Sequence, residues 1–394
     1  MHTTAKAHGM DGTLVEPDWS PLTLEEVRTL LRRFPGLNEP IHILSTSPRP
    51  FSAASVIGTK AARIFIKRHH RLVRDREGLL EEHRFIEHLR THGASVPRVL
   101  ASVDGETAIE FGGWTYEVHE VPAGVDPYGD APSWTPFRSL AHARSAGQAL
   151  ARLHLAAQGF TAPARLPRPL VASFSIFAAH NPHAAMKNYL AARPALASNM
   201  AVPDACRIAL ALLTPLHAEL RPLLPSLASL WTHNDLHGSN LLWSDMSENA
   251  HAVAVIDFGL ADRTNAVHDL AHAIERNIVE WLALTADPAS FARVPVHLDS
   301  LHALLDGYES IRPLTQKEAA ALAPMAALCH AEFALTESDY FLGVLRSHSQ
   351  ARMAVPDYLV NHARWFRSAS GEKLLELLRR RATDLHSREK SVAP

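Results

Sequence analysis

Residues 232–243 read THNDLHGSNLLW, and residues 255–259, one hairpin's length further on, read VIDFG. The first stretch separates Asp235 from Asn240 by four residues, and the second has Asp257 at the end of a short apolar run. An acid, an amide and a second acid in this order are the side chains that phosphoryl transfer from a metal–nucleotide complex requires. The two stretches together therefore predict a kinase.

The chemistry gives each of these side chains a different task. Asp235 is expected to accept the proton of an acceptor hydroxyl, and the amide oxygen of Asn240 to turn toward a metal ion. Asp257 would present its carboxylate to the same ion or to a second one. His233 is expected to pack and form hydrogen bonds that hold the loop, which makes it a structural support rather than a reacting group.

The stretch THNDLHGSNLLW, taken with AVIDFGLADRTNAVHDLAHAIE at residues 254–275, resembles the aminoglycoside phosphotransferase and choline kinase group. The members of this group are small-molecule kinases with the protein-kinase-like fold. The resemblance extends over roughly residues 40 to 345. It implies an α+β, bilobal protein-kinase-like fold with a small N-terminal lobe of antiparallel sheet plus helix and a larger, mainly helical C-terminal lobe.

The chain departs from the pattern of the group at two points. Asn234 stands where the group most often has Gly, and this change is expected to alter the backbone of the loop. No glycine-rich nucleotide loop is visible upstream, but the resembled group often covers the phosphates with a glycine-poor hairpin.

Length and composition bound the domain organisation. The 394 residues suggest two or three domains, and 47% hydrophobic residues are enough to form buried cores. We expect a flexible N-terminal tail over residues 1–22, a nucleotide-binding lobe over 23–121, and a helical catalytic and acceptor-binding lobe over 122–394.

Charge and cysteine content exclude several classes of protein. The formal charge of -2 gives no electrostatic reason to expect nucleic acid or an anionic membrane as a partner. Cys206 and Cys329 are far apart and are expected to be reduced thiols, and the N-terminus lacks the apolar core of a signal peptide. The 25 His are scattered and show no HExxH pattern. We expect a cytoplasmic monomer or homodimer that binds no nucleic acid or membrane.

The N-terminal region has the pattern of a small mixed lobe. A capping Thr followed by two early Glu residues predicts an amphipathic helix over residues 23–33. Three β-rich runs follow, at residues 41–44, 54–57 and 63–67. The polar segment 45–52 is interpreted as a loop over the ATP phosphates, with Ser52 among its hydroxyls. An ordinary hairpin turn explains this segment equally well.

Lys67 ends the alternating strand 63–67, and in the resembled group a Lys there binds the α- and β-phosphates of ATP. The alternative is one more basic residue in the run 67–71. Glu82 falls in the middle of the apolar stripe of the helix predicted over 77–92. Because carboxylates rarely sit on a buried face unless paired, we expect Glu82 to form the ion pair that orients Lys67.

A further strand pair leads toward the end of the small lobe, at residues 108–111 and 114–118. Residues 119–124 then resemble the hinge of the group. The resemblance implies that backbone groups of Glu120 and Val121 bond the edge of the adenine ring. This assignment depends on position alone, since side-chain identity matters little for such contacts.

The rest of the chain is rich in Ala and Leu and predicts helices, at residues 137–157, 205–224, 266–285, 296–308 and 317–347, with two more near the C-terminus. Pro215 and Pro324 fall inside two of these spans and are expected to kink or split them. In the resembled fold an acid at the position of Asp269 accepts hydrogen bonds from the catalytic-loop backbone. A favourable interaction with the helix dipole is the alternative explanation for Asp269.

The acceptor pocket is predicted from two helix faces and the catalytic loop. His272 and Glu275 share one side of the helix that contains Asp269, and Glu337 lies on the later helix. A carboxylate among apolar neighbours would recognise an ammonium or several hydroxyls, but solvated helix faces or interhelical contacts explain these residues just as well. His237, inside the catalytic loop, is expected either to contact the acceptor or to fix the loop.

Three functional hypotheses follow. The leading one is an ATP- and Mg²⁺-dependent kinase that phosphorylates a hydroxyl of a metabolite, amino alcohol, sugar or antibiotic. The second is a protein Ser/Thr kinase of the same fold, and the third is a catalytically silent nucleotide-binding scaffold. The joint presence of Lys67, Asp235, Asn240 and Asp257 argues against the third. The direct passage from Gly259 into a helix, with no A-P-E element, argues against the second.

Overall fold

The computed structural model describes residues 7–8, 14–37 and 40–392. The chain divides into two compact units. Unit 1 contains Met1–Ser133 and Ser239–Phe258, and unit 2 contains Trp134–Gly238 and Gly259–Pro394. The N-terminal compact unit therefore continues past Val121 and includes a second, later segment. Part of the predicted N-terminal tail, residues 1–6 and 9–13, lies outside the described residues.

The described strands are, in chain order, β1 (Ala7–His8), β2 (Leu14–Val15), β3 (Pro40–Thr46), β4 (Ala53–Thr59), β5 (Arg63–His70), β6 (Ala108–Phe111), β7 (Trp114–Glu120), β8 (Ser229–Thr232), β9 (Leu241–Trp243), β10 (Ala252–Val255) and β11 (Asp262–Asn265). The described α-helices are α1 (Leu24–Leu31), α2 (Arg76–Thr91), α3 (Leu140–Ala156), α4 (Pro182–Ala191), α5 (Pro194–Ala197), α6 (Ala201–Leu220), α7 (Ala266–Ile278), α8 (Leu298–Glu309), α9 (Gln316–Leu328), α10 (His330–Asp339), α11 (His348–Arg352), α12 (Asn361–Phe366) and α13 (Ala369–Val392).

Unit 1 is built on a five-stranded antiparallel sheet in the order β3-β4-β5-β7-β6. One face of the sheet carries Ile64, Ile66 and Val118, and these side chains form a buried core with α1. The other face carries Lys67 of β5 opposite Glu117 of β7, because side chains alternate along each strand. The sheet thus separates an apolar core on one side from a set of charged groups on the other.

The ends of the elements in unit 1 follow the sequence signals. Thr23 and Glu26 form a capping box at the start of α1, and Asp75 caps α2 by accepting a hydrogen bond from Gly78. Residues 112–113, between β6 and β7, are glycines with φ of 58° and 83°. This is the backbone region in which glycine has no steric penalty, and it explains the tight turn there.

The segment Ser239–Phe258 joins unit 1 through the antiparallel hairpin β9–β10. Trp243 of β9 exchanges two backbone hydrogen bonds with Val125, at 2.9 and 2.8 Å. Val255 donates to the carbonyl of Ser95 at 2.9 Å, which fixes the strand immediately before Asp257. The hairpin is therefore held to unit 1 on both of its strands.

Unit 2 is mainly helical, with the short antiparallel pair β8–β11. Helices α3 and α8 approach closely at Gly147 and Gly307. A Cβ atom at Gly147 would lie 2.0 Å from the carbonyl oxygen of Leu304, and one at Gly307 would lie 2.0 Å from that of Arg144. Only glycine fits at these two positions, since no backbone atom tolerates such an approach.

The long helix predicted over 317–347 is divided into α9, α10 and a π-helical turn, Tyr340–Leu345. The break falls at Cys329, whereas Pro215 and Pro324 lie inside continuous helices. Neither proline splits its helix, so that part of the expectation is wrong, whereas a kink at either position stays a prediction. Gln316–Leu345 is long and apolar enough to cross a membrane, but 94% of its most apolar window is buried inside the protein, as in a core helix.

Candidate functional site

In unit 1, the amine of Lys67 lies 2.9 Å from a carboxylate oxygen of Asp257. Burial lowers the pKa of Lys67, but the attraction of Asp257, Glu117 and Glu82 outweighs it, so the pKa is raised above its usual value. The amine is therefore held in its charged form. Lys67, predicted to bind the phosphates, and Asp257, predicted to bind a metal ion, thus form one ion pair.

Glu82 lies on α2 and is buried, as predicted, but its ion-pair partner is different from the expected one. Its carboxylate bonds the guanidinium of Arg74, which is also buried. The planar guanidinium of Arg74, just before α2, offers a carboxylate a better match than a lysine amine does. Glu82 acts on Lys67 through its charge, and the expected direct orienting pair is replaced by the pair between Lys67 and Asp257.

Asn240 lies close to the strand end that carries Asp257. The amide of Ile256 donates to the carbonyl of Asn240 at 2.9 Å, and Asn240 is buried. Asp257 has φ of 61°, an uncommon backbone conformation for a residue other than glycine. The amide oxygen of Asn240 and the carboxylate of Asp257 are hard oxygen donors, which is the ligand type that Mg²⁺ prefers. This pair of side chains therefore fits the predicted metal site.

The segment predicted to cover the phosphates connects β3 to β4, and Ser52 within it is half-buried. Arg49 anchors this connection to unit 1. Its guanidinium donates to the hydroxyl of Ser239 at 2.5 Å and to the carbonyl of Ala131 at 3.1 Å. Sequence reasoning did not single out Arg49. The sequence signal that could have indicated Arg49 is its position as a single basic residue between Pro48 and Pro50. The role of Ser52 in ATP binding stays a prediction.

The predicted hinge begins where β7 ends, at Glu120. The amide of Glu120 donates to the carbonyl of Arg98 at 2.9 Å, and its carboxylate pairs with the Arg98 guanidinium at 2.6 Å. That amide is therefore already bonded within the protein, and a contact of the Glu120 backbone with adenine stays a prediction. Val121, the next residue, is half-buried, and its contact with adenine stays a prediction.

In unit 2, Asp269 of α7 holds the backbone of the loop that carries Asp235. Its two carboxylate oxygens accept hydrogen bonds from the amides of His233 and Asn234, each at 2.8 Å. His154 contacts the same carboxylate at 3.0 Å. Burial raises the pKa of Asp269, but these partners overcome it and lower the pKa to about 2. The supporting position predicted for Asp269 is the one that it occupies.

His233 is fully buried, and its Nδ1 accepts a hydrogen bond from the amide of Asp235 at 3.2 Å. The imidazole thus bonds the backbone of the residue two positions later. This geometry agrees with the expectation that His233 holds the loop.

Asn234 has φ of 62°, so the loop needs the left-handed conformation that a glycine would supply. Asn is among the residues that tolerate this conformation best. Its amide nitrogen donates to the carbonyls of Ala172 and Leu260, at 3.0 and 3.3 Å, and its oxygen accepts from the hydroxyl of Thr232 at 2.8 Å. Asn234 therefore has a backbone conformation that glycine also adopts, and its side chain adds hydrogen bonds that a glycine lacks. The expected change in the loop backbone stays a prediction.

Asp235 faces two cationic or titratable groups. The guanidinium of Arg276 lies 3.1 Å from one carboxylate oxygen, and Nε2 of His237 lies 3.8 Å from the other. Arg276 is itself buried over the rings of Trp134 and Phe333, with distances of 4.2 and 4.9 Å to the ring centroids. The sequence did not point to Arg276, because its contacts with Asp235 and the two rings join residues that are distant in the chain.

Two further carboxylates of unit 2, Glu275 and Glu337, are buried, and one oxygen of each has no hydrogen-bond partner among the described residues. The other oxygen of Glu275 lies 3.1 Å from Nδ1 of His362. Burial is the main cause that raises the pKa of both carboxyls to about 8. The charge of Arg276 lowers the pKa of each, whereas the charge of Asp235 raises it. The two groups are therefore near enough to Asp235 to interact electrostatically with it.

His272, also predicted for the acceptor pocket, is fully buried, and neither of its ring nitrogens has a hydrogen-bond partner among the described residues. Burial is the main cause that lowers the pKa of His272 well below its usual value, and the electrostatic effect of His268 lowers it further. The imidazole is therefore neutral. Buried polar atoms without hydrogen-bond partners cost free energy and are rare in folded proteins. Within the part of the chain that the structure describes, Glu275, Glu337 and His272 all contain such atoms, so this part of unit 2 is unusual.

Comparison with known proteins identifies the family. A model of the phosphotransferase enzyme family matches residues 51–314, which is more than half of the chain. The chain belongs to the phosphotransferase enzyme family. A search of curated protein sequences gives no match. Membership in this family confirms the expectation of a small-molecule phosphotransferase.

Solved structures resemble the fold of this phosphotransferase. A microcompartment-associated aminopropanol kinase is 18% identical, with a TM-score of 0.58, and covers 89% of this chain and 99% of its own. An aminoglycoside phosphotransferase from Alicyclobacillus acidocaldarius is 17% identical, with a TM-score of 0.52, and covers 93% and 98%. Amicoumacin kinase in complex with AMP-PNP, Ca²⁺ and Ami is 15% identical, with a TM-score of 0.50, and covers 92% and 94%. The predicted kinase-like α+β fold is confirmed.

Proposed function

We propose that this phosphotransferase uses ATP and Mg²⁺ to phosphorylate a hydroxyl of a small molecule that also carries an amine. One observation carries the proposal. Asp269 holds the backbone amides of the two residues that precede Asp235. Two buried carboxylates with unpartnered oxygens, Glu275 and Glu337, lie within electrostatic reach of Asp235.

The nucleotide side of the proposal rests on three residues of unit 1. Asn240 and Asp257 would hold Mg²⁺, and Lys67 would contact the phosphates with an amine whose charged form is favoured. When bound, the ion would neutralise charge on the phosphates. The amicoumacin kinase structure, which contains AMP-PNP and Ca²⁺, supports a nucleotide and a divalent ion as cofactors for this fold.

The acceptor side rests on Asp235. Its carboxylate would accept the proton of the acceptor hydroxyl, as a general base must do within hydrogen-bond reach. The contacts of His233 with the Asp235 amide, and of Asp269 with the loop backbone, keep the carboxylate in one orientation. Positioning of the catalytic groups before the reaction accounts for much of the rate enhancement of a phosphotransferase. The transition state is stabilised mainly by correct positioning of the reactants and by neutralisation of charge.

The amine preference rests on Glu275 and Glu337. Each has an oxygen that lacks a partner among the described residues, and each has a pKa raised to about 8 by burial. An ammonium group would supply the missing donors and favour the charged carboxylates, since buried carboxylates are stable only when paired. A purely apolar or anionic acceptor would leave these oxygens unsatisfied. The names of the aminopropanol kinase and the aminoglycoside phosphotransferase are consistent with this preference.

A protein substrate is less well supported. In protein kinases a long segment after the D-F-G motif docks the peptide substrate. Here β11 begins at Asp262 and α7 at Ala266, so only a few residues separate Gly259 from the next helix. We therefore propose a small acceptor and a cytoplasmic location, where ATP and Mg²⁺ are available.

The proposal is tested by measuring ADP formation with matched pairs of acceptors. Each pair consists of an amino alcohol and the diol of the same carbon skeleton, and aminoglycosides are compared with neutral sugars. We expect turnover with amine-bearing acceptors. In Glu275→Gln and Glu337→Gln, kcat/KM for these acceptors should fall by about 10- to 100-fold, because a charged hydrogen bond is lost.

Glu309→Gln is the matched control, because this carboxylate lies on α8 and pairs with Arg381 instead. Its kcat/KM should stay at the wild-type value. Equal turnover of the diols and the amino alcohols, with no effect of Glu275→Gln or Glu337→Gln, would contradict the amine preference. Turnover of neutral acceptors alone would leave the phosphotransferase assignment standing and refute only the acceptor class.

A further inference from the structure

Four titratable side chains converge on the charged face of the sheet in unit 1. Glu117 and His119 belong to β7, His69 to β5, and His83 to α2. All four are buried, with exposed fractions of 4% to 8%. None of them has a direct role in the phosphotransferase chemistry described above, and Glu117 contributes to it only through its charge, which helps to keep Lys67 protonated.

The three imidazoles approach a single carboxylate. Nε2 of His83 and of His119 lie 3.0 and 2.8 Å from the same oxygen, Oε2 of Glu117. Nε2 of His69 lies 2.9 Å from the other oxygen, Oε1. Metal-binding atoms of His83, Glu117 and His119 all lie within 4.8 Å of one another. In a tetrahedral site with metal–ligand distances of about 2.0–2.1 Å, neighbouring ligand atoms are roughly 3.3–3.4 Å apart. A small adjustment would bring the three atoms around one ion.

We propose that His83, Glu117 and His119 form a binding site for a divalent transition-metal ion of the Zn²⁺ class. Two imidazole nitrogens and one carboxylate oxygen are a recurrent ligand set for such ions, with the remaining position taken by water. The set disfavours Mg²⁺ and Ca²⁺, which prefer oxygen ligands throughout. The site is therefore chemically distinct from the one proposed for Asn240 and Asp257.

The groups around the three ligands are those that such a site needs. Nδ1 of His83 lies 2.9 Å from the hydroxyl of Thr107. When Nε2 binds an ion it carries no proton, so Nδ1 must carry one and donate it. A hydroxyl can either accept or donate, and Thr107 therefore suits His83 with or without the ion. His69, on the second oxygen of Glu117, would fix the orientation of the carboxylate.

The position of the site gives the ion a structural role. It would join α2, through His83, to β7, through Glu117 and His119. Helix α2 also carries Glu82, and Glu117 is opposite Lys67 in the sheet register. The ion would thus fix the helix and the strand that supply charges around Lys67. This role is independent of the proposed acceptor.

The proposal is tested on the full-length chain by stripping it with a chelator, dialysing it against Zn²⁺ or Co²⁺, and measuring the bound metal. The wild type should retain about one ion per chain. Co²⁺ should give the strong visible absorption of a four- or five-coordinate site with nitrogen ligands. Loading should also raise Tm, because an ion that binds only the folded chain stabilises it. His83→Gln and His119→Gln should abolish the absorption and the rise in Tm.

The double variant His88→Ala/His92→Ala is the matched control. The half-buried His88 on α2 and the exposed His92 at its end lie one turn apart, with ring centroids 4.0 Å apart, and this pair is the obvious site for adventitious metal. The control should keep the ion, the absorption and the rise in Tm. Loss of the ion in the control alone, or a wild type that holds no Zn²⁺ or Co²⁺, would overturn the proposal and leave Glu117 as a hydrogen-bond acceptor only. The Co²⁺ spectrum of the wild type tests metal binding without any variant. The proposal can therefore be refuted even if His83→Gln folds poorly.

Discussion

The guanidinium of Arg276 lies 3.1 Å from the carboxylate of Asp235 and is covered by the rings of Trp134 and Phe333. A buried arginine at this distance forms an ion pair with the carboxylate. We therefore expect Arg276 to be a positioning residue for the proposed base. Its planar group and its stacking on the rings set the geometry, and a lysine does not reproduce either.

Arg276→Lys should lower kcat by about 10- to 100-fold, with little change in the KM for ATP, because Asp235 loses its fixed orientation. The pH profile of kcat should also shift, since the charge beside the base moves. Arg263→Lys, an exposed change in the same unit, should leave both unchanged. A normal kcat and pH profile in Arg276→Lys would show that the contact with Asp235 does not matter for the reaction.

Asp257→Ala should weaken the binding of Mg²⁺–nucleotide by about tenfold or more, because it removes a charged ligand. The loss should be visible by calorimetric titration in the presence of Mg²⁺ and should be much smaller in its absence. Asp245→Ala, in the exposed turn of the same β9–β10 hairpin, is the control and should bind as the wild type does. Unchanged affinity in Asp257→Ala would remove its metal role.

Asn234 combines a left-handed backbone with side-chain hydrogen bonds, and two variants separate these contributions. Asn234→Gly keeps φ near 62° without strain but loses the bonds, whereas Asn234→Ala loses both. We expect both to be destabilised, by about 1–3 kcal/mol for the lost bonds, with Asn234→Ala the less stable of the two in urea unfolding. Asn188→Ala, at an exposed position in α4, should be neutral. An Ala variant as stable as the Gly variant would contradict the backbone argument.

Asp269→Asn should change the dependence of stability on pH. The pKa of this carboxyl is lowered to about 2 in the folded chain, so its contribution is present above its usual pKa of about 3.8 and is lost as the pH falls through 2. A shift of this size corresponds to stabilisation on the order of 2 kcal/mol. The wild type should therefore be more stable than Asp269→Asn at pH 7, and the difference should shrink between pH 4 and pH 2 in urea unfolding. A difference that does not vary with pH would contradict the charged role of Asp269.

The sequence predicted the parts of the site that depend on local spacing. The position of Asp257 after a strand and the capping of α1 follow from short patterns with a physical cause. The contact of Asp269 with the loop backbone was implied by the resemblance to the kinase group. The left-handed conformation of Asn234 was not predicted, although the glycine that the resembled group most often has there was a signal for it. These features need few contacts from distant parts of the chain.

The remaining features depend on contacts between residues distant in sequence. The sequence could not distinguish Arg74 from Lys67 as the ion-pair partner of Glu82. A helical wheel shows on which face of the helix a residue lies, but not which residue it contacts. Arg276 was missed because its role comes from rings at Trp134 and Phe333, on either side of it in the chain. The helix breaks at Cys329 and continues through Pro324. Tertiary packing can thus outweigh the local tendency of proline to end a helix.

The role of Asp235 as the base of the phosphotransferase is tested by Asp235→Asn in a paired measurement of ADP formation and nucleotide binding. ADP formation with the best amine-bearing acceptor should fall by at least about 1,000-fold, while the Kd for Mg²⁺–nucleotide should change by less than about threefold. Full turnover in Asp235→Asn with that acceptor would show that Asp235 is not the base.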